Sequence, residues 1–286
     1  MIKLEVKNNL KIWNIIMGCL HLVQGIFMYF ISKEIVQKVF WTLPKPVLPE
    51  GGFKALEATQ RRAQVILESQ TWFEINLGHT IAGFLLMSAI AHFVIVLPKV
   101  YPWYEQNLAK HINYVRWIEY SISSSLMIFV IAMLCNVTNA AILIPIIMLN
   151  CVMNLFGMLM EMYNSLSEEK HALAGTVHKT NWAPYLFGCL AGITPWIVMG
   201  VYFVTSLNRL QGIDELSERI KDILALVKWI FPGLFIFFNL FAINMYLQYK
   251  KVGPWKDYLY GEKAYILLSL LAKSFLAWFI WGGTLR

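Results

Sequence analysis

Long apolar runs separated by short polar clusters dominate this chain of 286 residues. A bilayer-spanning helix needs about 20 mainly apolar residues. Seven segments meet that requirement, at 11–32, 72–97, 104–135, 139–160, 182–207, 223–249 and 258–283. Pro98 and Pro102, the run Ser167-Glu168-Glu169-Lys170, and Gly253-Pro254 mark breaks between them. Pro145, Pro195 and Pro232 fall inside spans, where neighbouring helices can re-satisfy the freed carbonyls. The first apolar run is long enough to span and is read as a helix, not a cleaved leader. The expected fold class is therefore all-α membrane protein: a seven-transmembrane-helix bundle, one domain over residues 1–286.

One connection breaks the rhythm. Residues 33–71, after the first helix, hold Pro44, Pro46, Pro49 and Gly51-Gly52. A connection of that length in a compact bundle predicts an ordered excursion or a lid. With an odd number of helices the termini lie on opposite sides. The basic residues divide evenly between the two sides when the long loop is counted. Without it they favour the amino-terminal side, and the positive-inside rule then puts the amino terminus in the cytoplasm and the carboxyl terminus outside.

Composition supports lipid as the solvent. The chain is 58% hydrophobic and 14% charged, against about 25% charged in soluble domains. The net charge of +7 comes from lysines and arginines in short connections. That pattern suits anionic headgroups and gives no reason to expect nucleic acid. Cys19, Cys135, Cys151 and Cys189 all sit in or beside apolar runs, so they read as small hydrophobes, with neither a disulfide framework nor a metal site.

Ionisable residues inside spans cost roughly 2.5–3.5 kcal/mol each at the helix centre, and each is a functional candidate. The last span, AYILLSLLAKSFLAWFIWGG, carries Lys273. It stands about ten residues from Gly283, or roughly 15 Å, too far for snorkelling. Lys273 could anchor an aldehyde chromophore such as retinal as an imine. It could equally line a transport cavity, or simply pair with a carboxylate. The third span, YVRWIEYSISSSLMIF, carries Arg116 and Glu119 three residues apart on one face. Counted from Pro102 and Pro254, Glu119 and Lys273 reach depths that agree within about 3 Å. An imine stays protonated in a low dielectric only beside such an anion. Ser269, one turn before Lys273, offers a hydroxyl to the same group.

Other polar residues interrupt the spans: His21 and Gln24 on helix one, Ser88 and His92 on helix two, and Asn150, Asn154 and Glu161 on helix four. Of these, His21, His92 and Glu161 fall in the amino-terminal half and predict a hydrated cavity there, where histidine could accept a proton. The aromatic stripe around Pro232 (Trp229, Phe231, Phe235, Phe237 and Phe238) is ordinary packing or the wall of a polyene pocket.

These residues resemble the heliorhodopsins, most strongly in RWIEYSISSS and SLLAKS, with His21-x-x-Gln24 and Ser88-x-x-x-His92 in support. The resemblance covers most of the chain. It implies a bundle of rhodopsin type in which Lys273 binds all-trans retinal and Glu119 is the sole counterion. Ser269 would lie near the linkage, and Ser124, Asn150, Met153 and Phe235 near the chromophore. His21 and His92 would hold the released proton in a cavity shared with Gln24, Ser88, Arg116 and Glu161. It also implies an inverted topology, a homodimer, and a strand-bearing extracellular excursion at the long loop. Proton-pumping rhodopsins carry an aspartate where this chain has Ser269, and commonly a second carboxylate where it has Val130. Efficient pumping is therefore not expected.

Three functions follow from this reading. The first is a light-sensing retinal protein, not an enzyme, acting on a downstream signalling partner that the sequence does not identify. The second is a light-gated proton channel or transporter on the same scaffold. The third is a ligand-activated receptor or small-solute transporter without retinal; the receptor form lacks a paired extracellular cysteine framework.

Overall fold

The computed structural model describes residues 2–48, 52–59, 64–211 and 218–285. Pro49, Gly51 and Arg286 lie outside the described residues, as do the side chains of Lys3, Lys7, Arg219 and Lys221. The chain runs α1 (Ile2–Ile31), β1 (Val36–Val47), α2 (Gly52–Thr59), β2 (Gln64–Asn76), α3 (Leu77–Val96), α4 (Tyr101–Leu108), α5 (Tyr114–Leu134), α6 (Ala140–Leu173), α7 (Ala183–Gln211), α8 (Glu218–Tyr249) and α9 (Tyr258–Ile280). Among the described residues, seven helices are long and apolar enough to cross a membrane: α1, α3 and α5 to α9. The bundle closes in order. α1 packs on α3, α3 on α5, α5 on α6 and α6 on α7, while α8 packs on α9 and α9 returns to α1 and α3.

Three boundaries differ from those read in the sequence. The third span does not begin after Pro102. Residues 101–108 form a separate short helix, and the chain turns through His111, at φ 59°, before α5 starts. Asn113 caps α5 by accepting from the Arg116 amide, which fixes the start there. Glu119 is thus in the second turn of α5 and Lys273 in the fifth turn of α9, so counting from the prolines does not describe their depths. The second span starts at Leu77, because residues 72–76 belong to β2 and Asn76 caps the helix. The fourth runs on through the Ser167–Lys170 cluster to Leu173. Glutamate and lysine are good helix formers on a solvated face, and the stop comes at Gly175, at φ +65°. Pro145, Pro195 and Pro232 lie inside α6, α7 and α8.

The long connection is a β-hairpin with a short helix at its tip. β1 and β2 are antiparallel, from Val36 opposite Asn76 to Val47 opposite Gln64, with a register shift between Val39 and Phe40. A two-stranded sheet leaves each strand one free edge, so β1 tolerates Pro44 and Pro46. The root is held by Val39, fully buried, and by the Phe40 amide donating to the Thr138 carbonyl at 2.9 Å. The hairpin therefore sits beside the α5–α6 connection, on the face opposite the amino terminus.

The two halves of the bundle differ. Towards the hairpin, the core around α5 and α9 is apolar: Met127, Ile128, Val130 and Ile131 pack with Leu85, Leu276 and Ile280. Towards the amino terminus, buried polar residues cluster: Asn14, His21, His92, Asn113, Arg116, Glu161 and Glu262.

Candidate functional site

Lys273 lies at the junction of the two halves, 2% exposed. Its ammonium donates to Glu119 Oε1 at 2.9 Å and to Ser269 Oγ at 3.0 Å. Helical spacing supplies the serine, since four residues place it one turn below on the same face. Glu119 Oε1 also accepts from the Ser88 hydroxyl at 2.6 Å, reaching across from α3. The Tyr120 ring lies 5.4 Å below the ammonium. Among the described residues, Glu119 is the only carboxylate within ion-pair distance of Lys273. One cation and one anion, each hydrogen-bonded, make this burial tolerable.

A cavity borders Lys273. Its walls are Tyr120, Ser124 and Met127 from α5, Met153 and Asn154 from α6, and Phe238 and Phe241 from α8. A hydroxyl and amide ladder lines one side. Asn150 and Asn154 both donate to Ser124 Oγ, at 2.7 and 3.0 Å, and Ser124 donates to the Tyr120 carbonyl. Asn150 therefore acts on the wall through Ser124. Phe235 does not border this cavity. It packs on Trp196, which Phe231 and Phe238 also contact, with ring centroids 5.2–5.4 Å apart. Tyr120 and Phe241 were not singled out from the sequence, whereas Phe238 was named there in the aromatic stripe and Asn154 among the polar residues of helix four. Aromatic residues are so common in these spans that only their facing could separate wall from packing.

The polar residues expected in one cavity separate into three groups. His92 Nδ1 lies 2.8 Å from Asn14 Oδ1, and its ring stacks on His21 at 5.7 Å. Neither ring nitrogen of His21, which is fully buried, has a protein partner among the described residues. Gln24 is elsewhere: it accepts from the Trp278 indole at 2.9 Å in the outer groove between α1 and α9. Arg116 shares a helix face with Glu119 but pairs with Glu161 and Glu262. Its guanidinium is sandwiched between the Trp117 and Tyr265 rings, at 4.5 and 4.0 Å. Glu262, in the second turn of α9, was not singled out from the sequence.

A small cavity of about 30 Å³ lies between the His92 and Arg116 groups. Asn14, Ser88 and His92 border it on one side, Arg116 and Asn113 on another, and Glu119 and Ser269 at its inner end. That volume exceeds the roughly 10–15 Å³ a water molecule needs, and the walls supply its partners.

A buried lysine on the last of seven membrane helices, held by a carboxylate of the third and opening on a wall of aromatic and methionine side chains, defines the class of rhodopsin-type retinal proteins. The residues fit that group: an amine for attachment, an anion to hold a cation, and an apolar wall with few polar anchors. The family model of the heliorhodopsins matches residues 10–285, and the chain belongs to that family. It is a retinal-binding, light-sensing membrane protein of the multi-pass type. No curated protein matches it in sequence.

Proposed function

We propose that Lys273 carries all-trans retinal as a protonated Schiff base, that Glu119 is its sole counterion, and that the protein senses light without efficient pumping. The observation that carries this reading is the 2.9 Å contact between Lys273 and Glu119. Retinal, when bound, supplies visible absorption and a light-driven change of shape beside the lysine. The chain supplies the rest. Glu119 holds positive charge at the lysine nitrogen, Ser88 keeps that carboxylate oriented, and Ser269 gives the nitrogen a neutral second partner.

The absence of pumping is supported by what lies on the hairpin side. Val130 is fully buried in the apolar core on that side, and among the described residues no buried carboxylate lies between Glu119 and the hairpin. The amino-terminal side instead has Asn14, His92 and the cavity next to Glu119. The buried histidines that could take a proton from Lys273 lie on the amino-terminal side, whereas Ser123, Ser125 and Asn150 on the hairpin side are not bases. His21 and His92 are proposed to receive it, His21 through its free ring nitrogens.

Exposed Lys99, Lys110, Lys170, Lys179, Lys250, Lys251 and Lys256 support a cytoplasmic amino terminus. Exposed Leu67 and Trp72 on the hairpin support a homodimer.

Adding all-trans retinal to the purified chain should produce a visible band. The Lys273→Ala variant should not produce one, and a wild-type protein without the band ends this reading. A second reading, light-gated proton conduction, is favoured by the polar cavity beside Glu119. Voltage-clamp recording under illumination separates the two: a photocurrent that reverses with the proton gradient supports conduction, and silence supports sensing.

A further inference from the structure

The Arg116 cluster holds one cation and two carboxylates. Glu161 and Glu262 are 1% and 0% exposed and Arg116 is 6% exposed. Glu161 Oε1 accepts from Arg116 and, at 3.4 Å, from the Tyr258 hydroxyl; Oε2 accepts from the Asn113 amide at 2.9 Å and the Trp117 indole at 2.7 Å. Glu262 accepts from Arg116 and from Asn113 Nδ2 at 2.6 Å. Among the described residues, Arg116 is the only cation within ion-pair distance of either carboxylate. With both ionised, the buried cluster would carry a net negative charge and no further counterion, which is strongly unfavourable out of water. Two carboxylates sharing a site keep one proton between them for this reason.

The remaining titratable neighbours do not relieve that charge. Tyr104 of α4, Tyr249 of α8, and Tyr258 and Tyr265 of α9 face the cluster and bring no cation. Burial, and next the nearby Glu262, hold the Tyr104 phenol above its usual range, so it stays neutral. His92 of α3 borders the same inner cavity as Arg116, and His111 stacks on Tyr258 at 4.8 Å on the other side.

The cluster also occupies a particular place. Arg116 and Asn113 border the inner cavity that reaches Glu119. Glu161 and Tyr258 border an outer vestibule of about 120 Å³, whose mouth carries His178, Glu168 and Lys251. The cluster thus stands between the two spaces, with Arg116 lining one and its partner Glu161 the other. Arg116 Nε, buried and without a protein acceptor among the described residues, adds a donor there.

We infer that Glu161 and Glu262 share one exchangeable proton under Arg116, and that this cluster is a proton station between the cavity at Glu119 and the amino-terminal surface. In the resting state it is neutral: one guanidinium, one carboxylate and one carboxylic acid. A proton taken up from the inner cavity and the held proton given up to the vestibule leave that charge unchanged. The shared proton does not depend on the retinal reading, whereas its response to light rests on it.

Infrared spectra of the full-length purified protein in the dark, at mildly alkaline pH where exposed carboxylates are ionised, test the first part. One carboxylic-acid carbonyl band is expected, shifting in heavy water. It should vanish in Glu161→Gln and equally in Glu262→Gln, because removing either carboxylate leaves a simple ion pair, and it should persist in Glu119→Gln. A wild-type protein with no such band, or a band that survives both cluster variants, overturns the shared proton. If a glutamine variant does not accumulate as folded protein, a heavy-carbon label on the glutamate carboxyls decides on the wild type: the band must move with the label. Light-minus-dark spectra test the second part. A change in this band during the photocycle is expected, and a band present in the dark but silent in light overturns the station. A protein that shows the dark band yet binds no retinal keeps the shared proton and ends the retinal reading instead.

Discussion

Two buried ionic sites stand about one turn apart on α5, and they solve the cost of burial differently. At Glu119 one carboxylate meets one ammonium, with Ser88 and Ser269 completing the contacts. At Arg116 one guanidinium meets two carboxylates, held also by Asn113, Trp117 and Tyr258. The first site is sparse and opens on a pocket, so a change at the lysine can move its partner. The second is dense, stacked between two aromatic rings, and fixed from three helices. A balanced pair with few contacts suits a switch. An overdetermined cluster with surplus negative charge suits a fixed point that stores a proton.

The largest break in this comparison comes at the pair. Lys273→Ala should abolish the visible band completely while leaving the bundle folded, read as retained helical circular dichroism. Loss of the fold together with the band would mean that the lysine is structural.

Next comes the cluster. Arg116→Ala leaves two carboxylates buried without a cation, and breaking a buried pair in this way costs roughly 3–5 kcal/mol. A large drop in thermal bleaching midpoint is expected, with a far smaller change in absorption maximum than any change at Glu119. A colour shift as large as that of Glu119→Gln would show that the two sites are not separate.

A third effect is steric. Gly157 lies against the Trp117 ring, and a Cβ there would collide with it. Gly157→Ala should displace Trp117 from Glu161 and destabilise by about 1–3 kcal/mol, again read by thermal bleaching. The smallest effect is expected at Ser269→Ala. It removes a neutral contact to Lys273 and should shift the absorption maximum modestly without loss of pigment. No shift at all would remove Ser269 from the site.

Much of the pair was legible beforehand, because a charge inside an apolar run is costly wherever the helix sits. Lys273 and Glu119 stand out on that ground alone, and Ser269 follows from its place one turn before Lys273. The depths of Lys273 and Glu119 do not follow from the prolines, since α5 begins at Tyr114 and not after Pro102. The two residues meet although their helices start at different levels. The cluster was legible only in fragments. Arg116 and Glu161 were visible as charges, but their partnership was not, and Glu262 was not singled out. Phe235 was placed at the chromophore and packs on Trp196, one ring removed from the cavity beside Lys273. Periodicity gives a helix face but not its rotation against a neighbour.

The sequence by itself determined the solvent, the seven spans and the three residues around the lysine nitrogen. Those follow from local quantities: the length of apolar runs, the cost of a charge in lipid, and the four-residue turn that sets Ser269 beside Lys273. Only the tertiary structure decided that Arg116 turns away from Glu119 towards two glutamates on α6 and α9, and that Gln24 faces outward. It alone placed an apolar barrier on one side of Lys273 and a polar cavity on the other. Those outcomes depend on how helices far apart in sequence rotate and shift against one another, and no single segment carries that information.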